Sequence, residues 1–124
     1  MTDNHPPAIP YLSSKVLQEL YRLARKYHQE GVVLFIFGSF ARGDQRPNSD
    51  LDLGVEWHGE PRPEVFLRLY WEVQDLPTIR PIDVVDFAQV APSFEEATSN
   101  DRIYLLEREK DGEERIALGW RVDA

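Results

Sequence analysis

The chain has 124 residues, the size of one domain, and its 42% hydrophobic and 29% charged residues are typical of a folded globular protein. A formal net charge of −8 argues against direct nucleic-acid binding, and the absence of cysteine excludes disulfides, thiolate zinc sites and cysteine nucleophiles. The chain shows neither a signal-peptide pattern nor a run of about 20 apolar residues, so we predict a cytoplasmic protein with no membrane partner.

The N-terminal half predicts a loose arm, then a helix and two strands. Residues 1–13 contain three prolines and are predicted to form a flexible arm. Apolar residues at helical spacing predict a helix over residues 14–29, which Gly31 can end. The wholly apolar run at 32–37 is typical of a strand that is buried on both faces. Apolar and polar residues alternate over 51–56, which predicts a second strand.

The C-terminal half continues the alternation of helices and strands. We predict two helices and two strands here, the helices at 63–75 and 93–99 and the strands at 82–87 and 103–106. Residues 108–124 are predicted to form either a hairpin, with a turn at Asp111 and Gly112 and a final strand at 116–122, or a partner-binding tail. The predicted class is α/β or α+β, a single domain over 14–124 with helices packed on a small mixed sheet.

The segment after the first predicted strand has the residue types of a phosphate-binding turn. Gly38 lets a phosphate approach the main chain, Ser39 offers a hydroxyl and an N–H group, and Arg42 can hold phosphate oxygens with its guanidinium. Ser49, just before the second predicted strand, is a further candidate for nucleotide binding. A glycine-serine pair after a strand is usually only a turn, so the hypothesis depends on the acidic residues that follow.

Three aspartates are candidates for holding a metal ion. Asp50 and Asp52 are two residues apart, so we expect their carboxylates on one face of the second strand, where they repel unless a cation lies between them. Mg²⁺ prefers such oxygen ligands. Asp83 supplies a third carboxylate if the third strand lies beside the second, and three carboxylates suit phosphoryl chemistry with two Mg²⁺ ions and Asp83 as general base. The alternative for an Asp-x-Asp pair is a solvated strand face.

The segments 38–43 and 49–53 together resemble the signature of the DNA polymerase β-type nucleotidyltransferase superfamily. Within it, the short chain and its Ala-Arg-Gly variant resemble the minimal nucleotidyltransferases, the MntA-like antitoxins of bacteria and archaea. The family pattern has a glycine-serine pair, two aspartates one residue apart, and a third aspartate on a later strand. Asp83 matches the third position better than Asp86, because the family motif places an apolar pair after the carboxylate.

The resemblance implies a nucleotidyltransferase fold, a small mixed β-sheet flanked by helices, and an enzyme that uses ATP and Mg²⁺. It also implies an antitoxin that forms a hetero-oligomer with a HEPN-domain toxin and transfers AMP from ATP to a tyrosine of that toxin. Two alternatives stay open. The same site can serve a small-molecule acceptor, as in the aminoglycoside nucleotidyltransferases, or the chain can be a non-catalytic antitoxin that binds its partner without turnover.

Overall fold

A computed structural model describes residues 9–105 and 121–122. In chain order the elements are α1 (Ser14–His28), β1 (Val32–Phe37), α2 (Ser39–Arg42), β2 (Leu51–Trp57), α3 (Pro63–Gln74), β3 (Ile82–Asp86), α4 (Pro92–Thr98), β4 (Arg102–Tyr104) and β5 (Arg121–Val122). The predicted class of helices on a mixed sheet is confirmed. Each helix and strand predicted before residue 105 is present, with bounds that differ by at most two residues.

The strands form one sheet in the order β3-β2-β1-β4-β5. The central strand β1 is antiparallel to β2 and to β4, and β4 is antiparallel to β5. In contrast, β2 and β3 are parallel, which a chain can achieve only through a crossover connection, here the one that contains α3. The parallel pair matters for the site, because equivalent ends of two parallel strands meet at the same edge of the sheet.

The larger core fills the space between one face of the sheet and the helices α1 and α3. Residues that alternate along β1, such as Leu34 and Ile36, point into this core. The start of α1 is capped by Ser13, whose hydroxyl accepts a hydrogen bond of 3.1 Å from the N–H of Val16. One face of the sheet is therefore closed by helices, and the polar residues of β2 are left on the other face.

A smaller aromatic cluster covers part of the second face. Phe35, Phe37 and Phe87 form its buried centre, and Phe94 of α4 packs on its edge with a ring-centroid distance of 6.0 Å to Phe37. The ring of Phe35 lies over Gly54, where an added Cβ would come within 2.3 Å of the ring carbon Cζ. This close packing fills the middle of the second face. The start of β2, which lies beside the end of β1, is therefore the open part of this face.

Both ends of the chain lie partly outside the described residues. Within the predicted arm, Leu12 is buried in the larger core, whereas residues 1–8 lie outside the described part, so the flexibility of the arm stays a prediction. The predicted turn at 111–112 and most of the segment 108–124 also lie outside it, apart from Arg121–Val122, which pair with β4. In the described part of the chain, no helix is long and apolar enough to cross a membrane.

Candidate active site

The turn after β1 packs directly against the carboxylate of Asp52. The antiparallel register places Phe37, the last residue of β1, opposite Asp52 of β2, so the next residue, Gly38, passes close to that side chain. Gly38 has φ +76° and ψ −150°, a conformation that is essentially restricted to glycine. A Cβ at this position would lie 2.2 Å from Oδ2 of Asp52. Both the backbone angles and the space therefore require glycine at position 38.

The short helix α2 turns the chain immediately beyond Gly38. The Gly38 carbonyl accepts hydrogen bonds from the N–H groups of Ala41 (3.0 Å) and Arg42 (2.9 Å), and Gly43 ends the helix with φ +86°. Ser39, the first residue of α2, is half-buried. Arg42 is exposed and its Nε lies 3.3 Å from Oδ2 of Asp44. The turn thus presents a hydroxyl and a guanidinium that a ligand can reach.

The parallel pairing of β2 and β3 brings Asp52 and Asp83 side by side. The two residues are register partners, so their side chains point to the same face of the sheet. Asp52 is half-buried, whereas Asp83 is exposed. The expectation that Asp50 also belongs to the strand is wrong, because β2 begins at Leu51 and Asp50 is the exposed residue just before it. Only the loop conformation therefore orients the Asp50 carboxylate, not strand alternation.

Asp52 is the electrostatically perturbed group of this site. Burial raises its pKa above the ordinary value of 3.8, and the negative charges of Asp83 and Asp50 raise the pKa further. Arg42 acts in the opposite direction and lowers the pKa of Asp52. Asp50, Asp83 and Arg42 are thus each within electrostatic reach of Asp52. The negative charge of the three aspartates exceeds what Arg42 neutralises, and a divalent cation would remove this imbalance.

The donor set fits a hard divalent cation. Asp50, Asp52 and Asp83 offer carboxylate oxygens, which are the ligands that Mg²⁺ prefers, and burial together with the charges of Asp83 and Asp50 raises the pKa of Asp52. Among the residues that the structure describes, no three acidic or histidine side chains converge closely enough to form a finished metal cluster. The magnesium site therefore stays a prediction that is supported by electrostatics and strand register.

A cleft of about 510 Å³ opens beside the paired aspartates. Its lining comes from α3, β3, α4, the end of β1 and the start of β2. The side chains that line it include those of Phe37, Asp52, Tyr70, Gln74, Asp83 and Phe94. Both carboxylates border a space that is large enough for a bound substrate group.

Two other residues considered from the sequence have structural contacts. The Ser49 hydroxyl accepts a hydrogen bond of 2.8 Å from the N–H of Arg46 and so closes the turn before β2, and its predicted part in nucleotide binding stays a prediction. Asp86 accepts hydrogen bonds of 2.9 Å from the Trp57 indole and from the N–H of Ala88. Asp86 thus has structural partners of its own, and the strand register places Asp83, not Asp86, next to Asp52.

Sequence reasoning missed Arg80. Its guanidinium donates hydrogen bonds to the carbonyl oxygens of Ser49 and Tyr11, and it lies 5.1 Å from the centre of the Phe40 ring. These partners are far away along the chain, and the sequence shows only an arginine in a loop before Pro81. No local pattern distinguishes such an arginine from an ordinary surface charge.

Comparisons with known proteins identify the family. A family model described as "Polymerase beta, Nucleotidyltransferase" matches residues 18–111. A Methanocaldococcus jannaschii protein named "Putative protein adenylyltransferase MJ0128" is 31% identical over 91 residues, which cover 73% of this chain and 85% of that protein.

Solved structures share the fold. One described as "Structure of putative minimal nucleotidyltransferase" has a TM-score of 0.59 and 27% identity, over 76% of this chain and 97% of that one. Another, "Crystal structure of the toxin-antitoxin with AMP-PNP", has a TM-score of 0.57 and 19% identity, over 77% of this chain and 76% of that one. The family resemblance seen in the sequence is confirmed: the chain belongs to the polymerase β nucleotidyltransferase family and is a nucleotidyltransferase.

Proposed function

We propose that this protein is an adenylyltransferase that moves AMP from ATP onto a hydroxyl group of a partner protein and requires Mg²⁺. The observation that carries the proposal is the pairing of Asp52 with Asp83 in register, with the Asp52 carboxylate packed on the glycine turn. This arrangement places anionic oxygen ligands next to a turn that a phosphate can approach.

The turn residues are assigned to the triphosphate. Gly38 is assigned to bring the main chain of the turn close to a phosphate, Ser39 to donate its hydroxyl to a phosphate oxygen, and Arg42 to supply positive charge near Asp52. Ser49 retains a hydroxyl proton that it can donate while its oxygen accepts from Arg46. These groups would hold the nucleotide so that its α-phosphorus faces the acceptor.

Asp50, Asp52 and Asp83 are assigned to Mg²⁺, with two ions as the expected number. When bound, the metal neutralises charge on the triphosphate and lowers the pKa of the acceptor hydroxyl. In the reaction, the acceptor oxygen forms a bond to the α-phosphorus while the bond from that phosphorus to the bridging oxygen breaks, and pyrophosphate leaves. Asp83 is exposed to the cleft and is assigned as the base that accepts the hydroxyl proton.

A protein acceptor is favoured by the relatives. The archaeal protein that is 31% identical is named a putative protein adenylyltransferase, and a structure of the same fold belongs to a toxin-antitoxin system. We therefore propose that the partner is a toxin, and the resemblance of the motif to the MntA-like antitoxins specifies a HEPN-domain toxin with a tyrosine as acceptor. An acidic surface, with a net charge of −8, agrees with a protein partner better than with a nucleic acid.

The test is transfer of labelled AMP. The protein is incubated with ATP labelled in the α-phosphate, Mg²⁺ and the purified product of the neighbouring gene, and the label is followed by gel and mass spectrometry. Asp50→Asn and Asp52→Asn should abolish labelling while the fold stays intact, because each removes an anionic ligand without removing core contacts. Glu60→Gln is the matched control, since it neutralises an exposed carboxylate outside the cleft.

The outcomes separate the three functions. Label on a tyrosine of the partner that depends on Asp52 supports the proposal. Label that appears only on small molecules supports the aminoglycoside-type alternative and contradicts a protein acceptor. A tight complex without label, formed equally by the wild type and the Asp52→Asn variant, supports a non-catalytic antitoxin. Unfolding of both aspartate variants would show that these carboxylates are structural and would refute the metal assignment.

A further inference from the structure

The guanidinium of Arg80 connects three segments that each carry residues of the proposed site. It donates to the carbonyl of Ser49, the residue before Asp50, and it lies 5.1 Å from the ring centre of Phe40 in the helix that begins at Ser39. Arg80 itself stands two residues before β3, the strand that carries Asp83. A residue just before the strand that carries Asp83 thus contacts both the short helix after the glycine turn and the loop that leads to Asp50.

The backbone around Arg80 reinforces this connection. The carbonyl of the next residue, Pro81, accepts a hydrogen bond of 3.0 Å from the N–H of Leu51, so the starts of β2 and β3 are joined just beside the guanidinium. Leu51 lies between Asp50 and Asp52 in the chain. Movement at Arg80 would therefore be transmitted to both aspartates that flank this hydrogen bond.

The second carbonyl bound by Arg80 belongs to a strained residue. Tyr11 has φ +68° and is the one non-glycine residue with positive φ in the part of the chain that the structure describes. Its carbonyl accepts from Arg80, and the carbonyl of the preceding Pro10 accepts a hydrogen bond of 3.2 Å from the Gln45 side chain. Backbone strain persists only where surrounding contacts impose it, so these two bonds hold the segment against the loop that leads to Asp50.

We infer that Arg80 is a positioning residue for nucleotidyl transfer: it fixes the main chain at Ser49 so that the Asp50 carboxylate stays beside Asp52 and can share a cation with it. The inference rests on the proposed metal and nucleotide site. An arginine suits this role because its planar guanidinium can donate to two carbonyls and lie near an aromatic ring at the same time. A lysine can reach one of these carbonyls but lacks the planar guanidinium that donates to both carbonyls at once.

The experiment measures Mg²⁺-dependent binding of α,β-methylene ATP, in which the bond that transfer would break is replaced by a stable one. Calorimetric titrations compare the wild type with Arg80→Met and Arg80→Lys. Arg22→Met is the control, because Arg22 pairs with Glu19 on the exposed side of α1, away from the proposed site. For Arg80→Met we expect the half-saturating Mg²⁺ concentration to rise about tenfold, as is typical when a residue that orients metal ligands is removed.

Mg²⁺-dependent binding, Mg²⁺-free binding and the melting temperature together decide whether Arg80 is a positioning residue. Arg80→Lys should fall between the wild type and Arg80→Met, and binding of the nucleotide without Mg²⁺ should change less than about twofold in either variant, because the phosphate-binding turn is retained. Equal losses of binding with and without Mg²⁺, or a lowered melting temperature with wild-type Mg²⁺ dependence, would show a structural role only and overturn the inference. Normal binding by the wild type and by Arg80→Met overturns this inference alone, whereas no binding by the wild type overturns the proposed site as well.

Discussion

Replacement of Gly38 by alanine tests the packing of the Asp52 carboxylate on the glycine turn. The new residue must adopt φ +76° and ψ −150°, a conformation that costs non-glycine residues about 1–3 kcal/mol. Its Cβ would lie 2.2 Å from Oδ2 of Asp52, so the carboxylate or the turn must also move, at a cost of about 1–3 kcal/mol. We expect the free energy of unfolding to fall by about 2–6 kcal/mol and Mg²⁺-dependent nucleotide binding to be lost.

Gly43 provides the matched control. It also has positive φ, +86°, but an added Cβ meets nothing within 4 Å. Gly43→Ala should therefore cost only the backbone strain of a left-handed residue, about 1–2 kcal/mol, and should leave Mg²⁺ dependence unchanged. The difference between the two alanine variants measures the clash with Asp52, separately from the loss of a glycine with positive φ.

A double-mutant cycle with Asp52→Ala completes the test. Urea denaturation of the two single variants and the double variant gives the coupling free energy. Without the carboxylate, Gly38→Ala should cost at least about 1 kcal/mol less than it does in the wild type, because the clashing oxygen is gone. If Gly38→Ala costs the same with and without Asp52, or no more than Gly43→Ala, the carboxylate is not packed on the turn and the reasoning is refuted.

Asp83→Asn should abolish AMP transfer and change the free energy of unfolding by less than about 0.5 kcal/mol. Asp86→Asn should keep AMP transfer but lower the free energy of unfolding by about 1 kcal/mol, because Asp86 accepts structural hydrogen bonds from Trp57 and Ala88. Transfer assays and urea denaturation measure both effects, and the opposite pattern would show that the assignment of Asp83 is wrong. Asp52→Asn should stabilise the metal-free protein: the pKa of Asp52 is raised in the folded state, so its ionised form opposes folding above that pKa. This penalty fades as the pH falls toward 3.8, and melting curves should show the advantage of the variant at about pH 7 and its decrease by about pH 4. Gly54→Ala should cost about 1–3 kcal/mol in calorimetry, because its Cβ would lie 2.3 Å from the Phe35 ring, and a neutral result would mean that this ring can move.

Local patterns in the sequence were sufficient to predict the helices and strands. The run at 32–37 is apolar throughout, and the structure places it at the centre of the sheet with cores on both faces. Helical spacing and a capping serine determine α1 in the same way, because hydrophobic periodicity and caps act over a few residues. The family also follows from the sequence, since the glycine turn and the two nearby aspartates are close together along the chain.

The family motif favours Asp83 over Asp86, and the tertiary structure supplies a physical reason for this preference. Parallel pairing puts Asp83 in register with Asp52, whereas Asp86 lies three residues further on and binds the Trp57 indole. The sequence does not reveal which strands pair or in which register, because strand pairing depends on packing across the whole domain.

The sequence by itself determined the order of elements, the family and the aspartates that are candidates for metal binding. Only the tertiary structure decided that Asp50 lies outside β2, that Gly38 packs on Asp52, and that Arg80 joins the loop before β2 to the N-terminal segment. The reason is the range of the interactions. Helix caps and hydrophobic repeats act between near neighbours in the chain, whereas these contacts join residues that come together only when the sheet and its crossover have formed.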